Sequence, residues 1–308
     1  MTNLSERAER AVDIATRAGR RLGLDAREPR VLHDVFNVLV HLAPEPVVVR
    51  VPSLGFAGAE DLKRKQRREL AVAGWLADTG APVVRPSPLV PREPVVTDGT
   101  SLTFWEFVSE EKPAADEDLQ ARFVEQTGNA AELHALLAGY PGELPVLSPL
   151  VPGLRPLLDE LGKRRPDGLT TADLDRAESE YAALEALVAD FPAHFPGARL
   201  QPLHGDSPAY NMLRVTGGRR LFSDFEDVTL GPVEWDLTLV GPQGIEAYER
   251  AGGGPVDPAL LEVMEGARLL QVVGALAFVP VMPEMGAMLE PAVARWRERA
   301  PLSVGRSV

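Results

Sequence analysis

The residues with the most chemistry to offer lie between Leu203 and Asp236, in the stretch LHGDSPAYNMLRVTGGRRLFSDFEDVTLGPVEWD. Asp206 and Asn211 are separated by four residues, and Asp224 lies thirteen beyond Asn211. Residues 212–215 and 221–222 read as short strands on either side of a Thr216-Gly217-Gly218 turn, which would bring Asn211 and Asp224 to the same end of a hairpin. Their side-chain oxygens suit Mg2+, a hard cation that keeps waters and completes its shell with substrate phosphates. Asp206, not required as a ligand, is left to accept the proton of an attacking hydroxyl. Taken singly, His204-Gly205-Asp206 is a polar turn and Asp224 to Asp227 an acidic hairpin end; their order and spacing together favour a site.

The elements around this stretch change character along the chain. Leu4, Ala8, Ala11, Val12, Ile14, Ala15 and Leu22 follow a helical period, with Ser5 as a cap and Gly23 as a stop. Apolar, β-branched runs at 31–42 and 47–51, divided by Pro44-Glu45-Pro46, read as strands joined by a hairpin. Residues 60–79 return to helical spacing and stop at Gly80. The proline-dotted segment 82–103 predicts short, twisted antiparallel strands. A shift to SEEKPAADED at 109–118 marks a boundary. Beyond it helices are expected at 119–137, 171–191, 258–279 and 283–299, with a proline-rich bridge at 141–156. The class is α+β.

Composition narrows the function. Among 308 residues there is no cysteine, which excludes disulfides and thiolate metal sites. The charged N-terminus lacks the apolar core of a secretory signal, and no run approaches the roughly 20 apolar residues of a membrane span. A soluble, cytoplasmic protein is expected. A net charge of -13 disfavours nucleic acid and suits a cationic small-molecule partner. The basic cluster at 63–68 has no aromatic residues among its charges and reads as a solvated helix face. His134, within an apolar helix, reads as a core residue.

His204-Gly205-Asp206 with Asn211, then Ser223-Asp224-Phe225-Glu226-Asp227, then Gly231-Pro232-Val233-Glu234-Trp235-Asp236-Leu237, resembles the signature of the aminoglycoside phosphotransferase and choline kinase-like family. The order Asp, four residues, Asn, and a later Asp-Phe is also that of protein kinases. The resemblance implies a protein-kinase-like two-lobed fold, with a small antiparallel-sheet N-lobe (1–105) and a larger, mostly helical C-lobe (106–308). It implies transfer of the ATP γ-phosphoryl group to a small-molecule hydroxyl with Mg2+. Asp206 would be the catalytic base, Asn211 and Asp224 the Mg2+ ligands, and Asp236 an acid bracing the catalytic loop from the start of a helix, while His204 would hold the loop. Arg50 would stand where kinases commonly carry a phosphate-binding lysine, with Glu69 as its helix partner. Backbone groups of Glu106, Phe107 and Val108 would hold adenine at the lobe-connecting hinge.

The sequence departs from that pattern in several places. Arg50 is a planar fork where an ammonium is usual. His33-Asp34-Val35 would have to cover the phosphates without glycine. Tyr210 is bulkier than the small residue common in that loop. These departures also fit a degraded kinase that binds nucleotide or ligand without turnover, whereas retention of Asp206, Asn211 and Asp224 together favours turnover. For the acceptor, Glu110, Glu111, Asp116, Glu117, Asp118, Glu226, Asp227 and Glu234 read either as a seat for a polycation or as surface charge.

Overall fold

The computed structural model describes residues 5–166 and 168–303, so Leu4 of the first expected helix lies outside the described residues. In chain order these residues form α1 (Glu6–Arg21), β1 (Glu28–Asp34), β2 (Asn37–Ala43), β3 (Val47–Pro52), α2 (Ala59–Asp78), β4 (Val95–Thr97), β5 (Thr100–Glu106), α3 (Leu119–Leu137), α4 (Arg155–Arg164), α5 (Thr171–Ala189) and the short α6 (Phe191–His194). They continue with β6 (Gln201–Leu203), β7 (Met212–Val215), β8 (Arg219–Phe222), β9 (Thr229–Gly231), α7 (Gly241–Tyr248), α8 (Pro258–Ala275) and α9 (Glu284–Glu298). The chain divides into two compact units. The first is drawn from the chain up to Glu117 and from Asn211–Glu226, and the second from Asp118–Tyr210 and from Asp227 onward.

The first unit is built on a five-stranded antiparallel sheet of order β1-β2-β3-β5-β4. Strand alternation sorts its faces. Val38, Val40 and Leu42 of β2 and Val47, Val49 and Val51 of β3 bury one face together with Ile14, Ala15 and Ala18 of α1. Leu39 and His41 therefore point the other way, beside their cross-strand partners Arg50 and Val48. Ser5 caps α1 by accepting the Ala8 amide at 3.1 Å. Helix α2 is fixed to β5 by Gln66, whose Nε2 donates to the Ser101 carbonyl at 3.0 Å.

One expectation for this part of the chain changes. Only β4 and β5 form strands within 82–103, because prolines at 82, 86, 88 and 91 remove ladder donors. Residues 83–90 are held instead by single bonds, such as Val84 N to Phe222 O at 2.8 Å and Ser87 N to Phe104 O at 3.0 Å. The first unit runs to Glu117, within the 109–118 composition shift, and takes in the β7–β8 hairpin, which the Glu111 amide joins at Arg214 O (2.8 Å) and Glu117 joins through Arg214 (2.7 Å).

The second unit is mostly helical, with Trp235, Tyr248 and Trp296 among its fully buried side chains. Asp118 caps α3 by accepting the Gln120 and Ala121 amides, and Thr170 forms a reciprocal capping box with Asp173 at the start of α5. Helices α4 and α7 were not expected. Each has proline in its first turn, where a missing amide costs nothing, so the residue that reads as a breaker is a starter. Among the described residues no helix is long and apolar enough to cross a membrane.

Candidate active site

The loop bearing Asp206 emerges from a two-stranded pairing in the second unit. β6 pairs antiparallel with β9, with Leu203 opposite Thr229, so the chain leaving Leu203 runs back past Asp227. The approach is closest at Gly205, where φ is +89° and an added Cβ would lie 1.9 Å from the Asp227 carbonyl oxygen. Only glycine meets both conditions. The chain leaving β9 passes through a single 3-10 turn, Val233–Trp235, and delivers Trp235 and Asp236 beneath the same loop.

Asp236 grips the loop by its backbone. Its carboxylate accepts the His204 amide at 2.9 Å and the Gly205 amide at 2.8 Å, and Trp235 Nε1 donates to the Gly205 carbonyl at 2.8 Å. The brace comes from the end of a 3-10 turn, not from the start of a helix as the sequence suggested. His134 reaches the same carboxylate through Nε2 at 3.0 Å, while its Nδ1 lies 2.9 Å from the Tyr248 hydroxyl. Burial alone would raise the Asp236 pKa, but His134, His204 and the Gly205 amide outweigh it and hold the carboxyl below its ordinary range. Burial pushes the Tyr248 phenol up, with Asp236 and Glu234 adding to the effect. His204 is wholly buried, and its Nδ1 lies 3.4 Å from the Asp206 amide.

Asp206 itself keeps its side chain 52% exposed, with Nη1 of Arg268 at 3.3 Å from Oδ1. Tyr210, four residues on, is 71% exposed, and its ring packs against Phe123 of α3 at 4.5 Å between centroids.

Asn211 and Asp224 belong to the first unit, at the open end of β7–β8. The hairpin pairs Met212 with Phe222 and Val215 with Arg219 around a turn in which Gly217 and Gly218 have φ of +89° and +72°. Beyond the last pair, the Ser223 amide and hydroxyl both donate to the Asn211 carbonyl, at 2.8 and 3.0 Å. Asp224 is therefore placed next to Asn211, in a left-handed conformation with φ of +61° that a non-glycine residue rarely adopts. Phe225 anchors it from a fully buried position.

Arg50 of β3 links this hairpin end to α2. One Nη bonds the buried Glu69 carboxylate, and the other lies 2.5 Å from Asp224 Oδ1 and 4.0 Å from Glu226. Its guanidinium stands 5.6 Å from the Trp105 ring centroid, within cation–π range. At the end of β5, the Glu106 and Phe107 amides are already donated, to Arg85 O (2.8 Å) and Pro46 O (2.9 Å). Phe107 stacks flat on His41 at 3.8 Å, and burial lowers the His41 pKa. Several acidic residues considered for an acceptor have structural work: Glu117 binds Arg214, Asp118 caps α3, and buried Glu234 accepts the Asp257 amide at 2.9 Å. In the basic cluster, Lys63 pairs with Glu60 and Arg64 with Asp61, as on a solvated face.

Sequence reasoning did not assign His134, Tyr248 or Arg268 to the site. For Arg268 a signal existed, since it is a charged residue inside the apolar helical run of α8 and a buried charge needs partners. His134 is buried as expected, but its ring is fully engaged in bracing Asp236.

Residues 25–273 match the phosphotransferase enzyme family. The chain belongs to that family. It is a small-molecule kinase with a protein-kinase-like fold. No curated protein matches the sequence. Among solved structures, the chain is similar to choline kinase LicA from Streptococcus pneumoniae (TM-score 0.62, 13% identity, 94% of this chain and 100% of that one). It is also similar to the microcompartment-associated aminopropanol kinase (TM-score 0.60, 15% identity, 92% and 94%) and to APH(2")-IIia in its complex with GDP and kanamycin (TM-score 0.59, 15% identity, 91% and 98%). At these identities the likeness is one of fold.

Proposed function

We propose that this phosphotransferase is an ATP- and Mg2+-dependent O-kinase that phosphorylates the hydroxyl of a small molecule, an aminoglycoside or other antibiotic being the first class to test. The observation that carries this reading is the grip of Asp236 on the His204 and Gly205 amides, which holds a half-exposed Asp206 on a loop that cannot drift. A carboxylate so presented suits a general base, which must meet its proton within hydrogen-bond reach.

The residues present fit the cofactors. Asn211 and Asp224 offer hard oxygen donors next to each other on one hairpin end, and two protein ligands suffice for Mg2+, which retains waters and phosphate oxygens. Mg2+ bound there would neutralise charge on the transferring phosphoryl group. Arg50 would pair with nucleotide phosphate. Since the Glu106 and Phe107 amides are spent, their carbonyls and the backbone of Val108 would hold the base. In this reading the first unit binds nucleotide and the second carries the acceptor site. Asp206 orients the acceptor hydroxyl and takes its proton as the oxygen–phosphorus bond forms; catalysis is otherwise positioning and charge stabilisation.

The test is a nucleotide-consumption screen, with ATP and GTP in parallel, across aminoglycosides, macrolides, amino alcohols and sugars. Turnover that needs Mg2+ and is abolished by Asp206→Asn is expected. Turnover indifferent to Asp206→Asn would remove the mechanism. Mg2+-dependent thermal stabilisation by nucleotide without consumption of any acceptor would favour binding without turnover.

A further inference from the structure

Arg268 has no part in the mechanism above, yet it is a basic side chain that meets Asp206 at 3.3 Å. It lies on α8 with only 8% of its side chain exposed. Its Nε donates to Thr238 Oγ1 at 3.0 Å, and Nη1 donates to Gln271 Oε1 at 2.6 Å and to Asp206 Oδ1 at 3.3 Å. Nη2 lies 3.5 Å from the Trp235 carbonyl, and the guanidinium stands 3.8 Å from the Trp235 ring centroid. Trp235 also binds the Gly205 carbonyl, so the residue that carries Arg268 is the one that holds the Asp206 loop.

A guanidinium is costly to bury, and packing alone would be served by a methionine or leucine at this position. Burial does push Arg268 down from its usual range, while Asp206, Asp236 and Asp227 push it back; an arginine in that balance stays charged. The charge is directed. Asp236 and Trp235 fix the backbone around Asp206, but a half-exposed aspartate still has rotamers to choose among. A small misplacement of a reacting group can cost about 10²-fold in rate. Arg268, its own position fixed by Thr238, Gln271 and Trp235, touches that carboxylate.

We propose that Arg268 is a positioning residue for phosphoryl transfer, holding the Asp206 carboxylate in the orientation that receives the acceptor proton. This rests on the reading of Asp206 as the base. Lysine is a poor substitute, because one ammonium on a flexible stem cannot reproduce a planar fork that meets Thr238, Gln271 and Asp206 together while stacking on Trp235.

The experiment measures kcat and both KM values for wild type, Arg268→Gln, Arg268→Lys, Asp206→Asn and the Asp206→Asn/Arg268→Gln double variant, using the acceptor found by the screen. Arg268→Gln is expected to lower kcat by about 10²-fold with nucleotide KM little changed, and Arg268→Lys to recover part of the loss. In the Asp206→Asn background, Arg268→Gln should cost little more, because the two residues act as one unit. A kcat for Arg268→Gln close to wild type, or a full further loss in the Asp206→Asn background, overturns the proposal. A kcat for Asp206→Asn close to wild type, in place of the small residual turnover on which the double variant is read, overturns the base assignment itself, a result separable from the first. If Arg268→Gln does not fold, as judged by circular dichroism, Gln271→Leu removes one anchor of the same Nη1. It should then lower kcat in the same sense with a native melting profile, and an unchanged kcat counts against the role.

Discussion

Replacing Asp236 by asparagine tests whether one buried carboxylate holds the loop that bears Asp206. In the native arrangement Oδ2 accepts from His134 Nε2 at 3.0 Å and from the His204 amide at 2.9 Å, while Oδ1 accepts from the Gly205 amide at 2.8 Å. Asparagine has a single oxygen. If it takes the Oδ2 position, its NH2 faces the Gly205 amide, donor against donor; if it flips, two donors lose their acceptor. The better arrangement still loses one charge-assisted bond, worth about 1.5–3 kcal/mol, and weakens the other two. A destabilisation of about 3 kcal/mol is expected at neutral pH, the low end of the cost of breaking a buried ion pair. The assay is urea unfolding followed by circular dichroism, run beside turnover, which should fall with stability. The deficit should also depend on pH. The folded state holds the Asp236 carboxyl below its usual value of 3.8, so its stabilisation is present above that value and is lost as pH falls through the lower, folded one. The difference between wild type and variant should therefore shrink as pH drops below about 4. A loss under about 1 kcal/mol at neutral pH would refute the reasoning, since it would mean that the loop keeps its amides satisfied without the charge.

Gly205→Ala should destabilise by more than about 2 kcal/mol, from a strained backbone and a Cβ driven into the Asp227 carbonyl; an unchanged thermal midpoint would show that the loop relaxes freely. Glu69→Gln should cost about 3 kcal/mol in denaturant unfolding, because it leaves the buried Arg50 without one of its two close carboxylates, and it should weaken nucleotide-dependent thermal stabilisation.

The parts of the site that were legible in the sequence are those whose partners lie close along the chain. The convergence of Asn211 and Asp224 follows from thirteen residues, two short apolar runs and a Gly-Gly turn, and the register of β7 with β8 shows the same geometry. The start of α3 follows the composition shift that ends at Asp118, whose side chain caps the helix. The bracing residues were harder to read because they meet the loop from far away: His134 is 102 residues from Asp236, and Arg268 is 62 from Asp206. Helical periodicity says that position 134 faces inward but not which carboxylate waits there. Local rules also misled where a residue has two uses, as with the proline in the first turn of α4, which closes the stretch read as a bridge.

Arg50 joins the local and the distant parts of the first unit. A lysine at this position of β3 would offer one ammonium, and holding both Glu69 and Asp224 would require both carboxylates to crowd that single point. The guanidinium separates the tasks, with one Nη on the helix carboxylate and the other on the hairpin carboxylate. The position of α2 and the orientation of Asp224 are thereby set by one rigid group. Asp224 needs such a restraint, because its left-handed backbone has no intrinsic preference for being there. Under the proposed reading, a cation at Asp224 meets a carboxylate whose charge Arg50 already shares, and a phosphate at Arg50 meets a guanidinium already holding two acids. Either ligand relieves the competition that the other faces, since the cation draws Asp224 away from Arg50 and frees donors for phosphate. Under that reading, metal and nucleotide bind together more readily than either does alone.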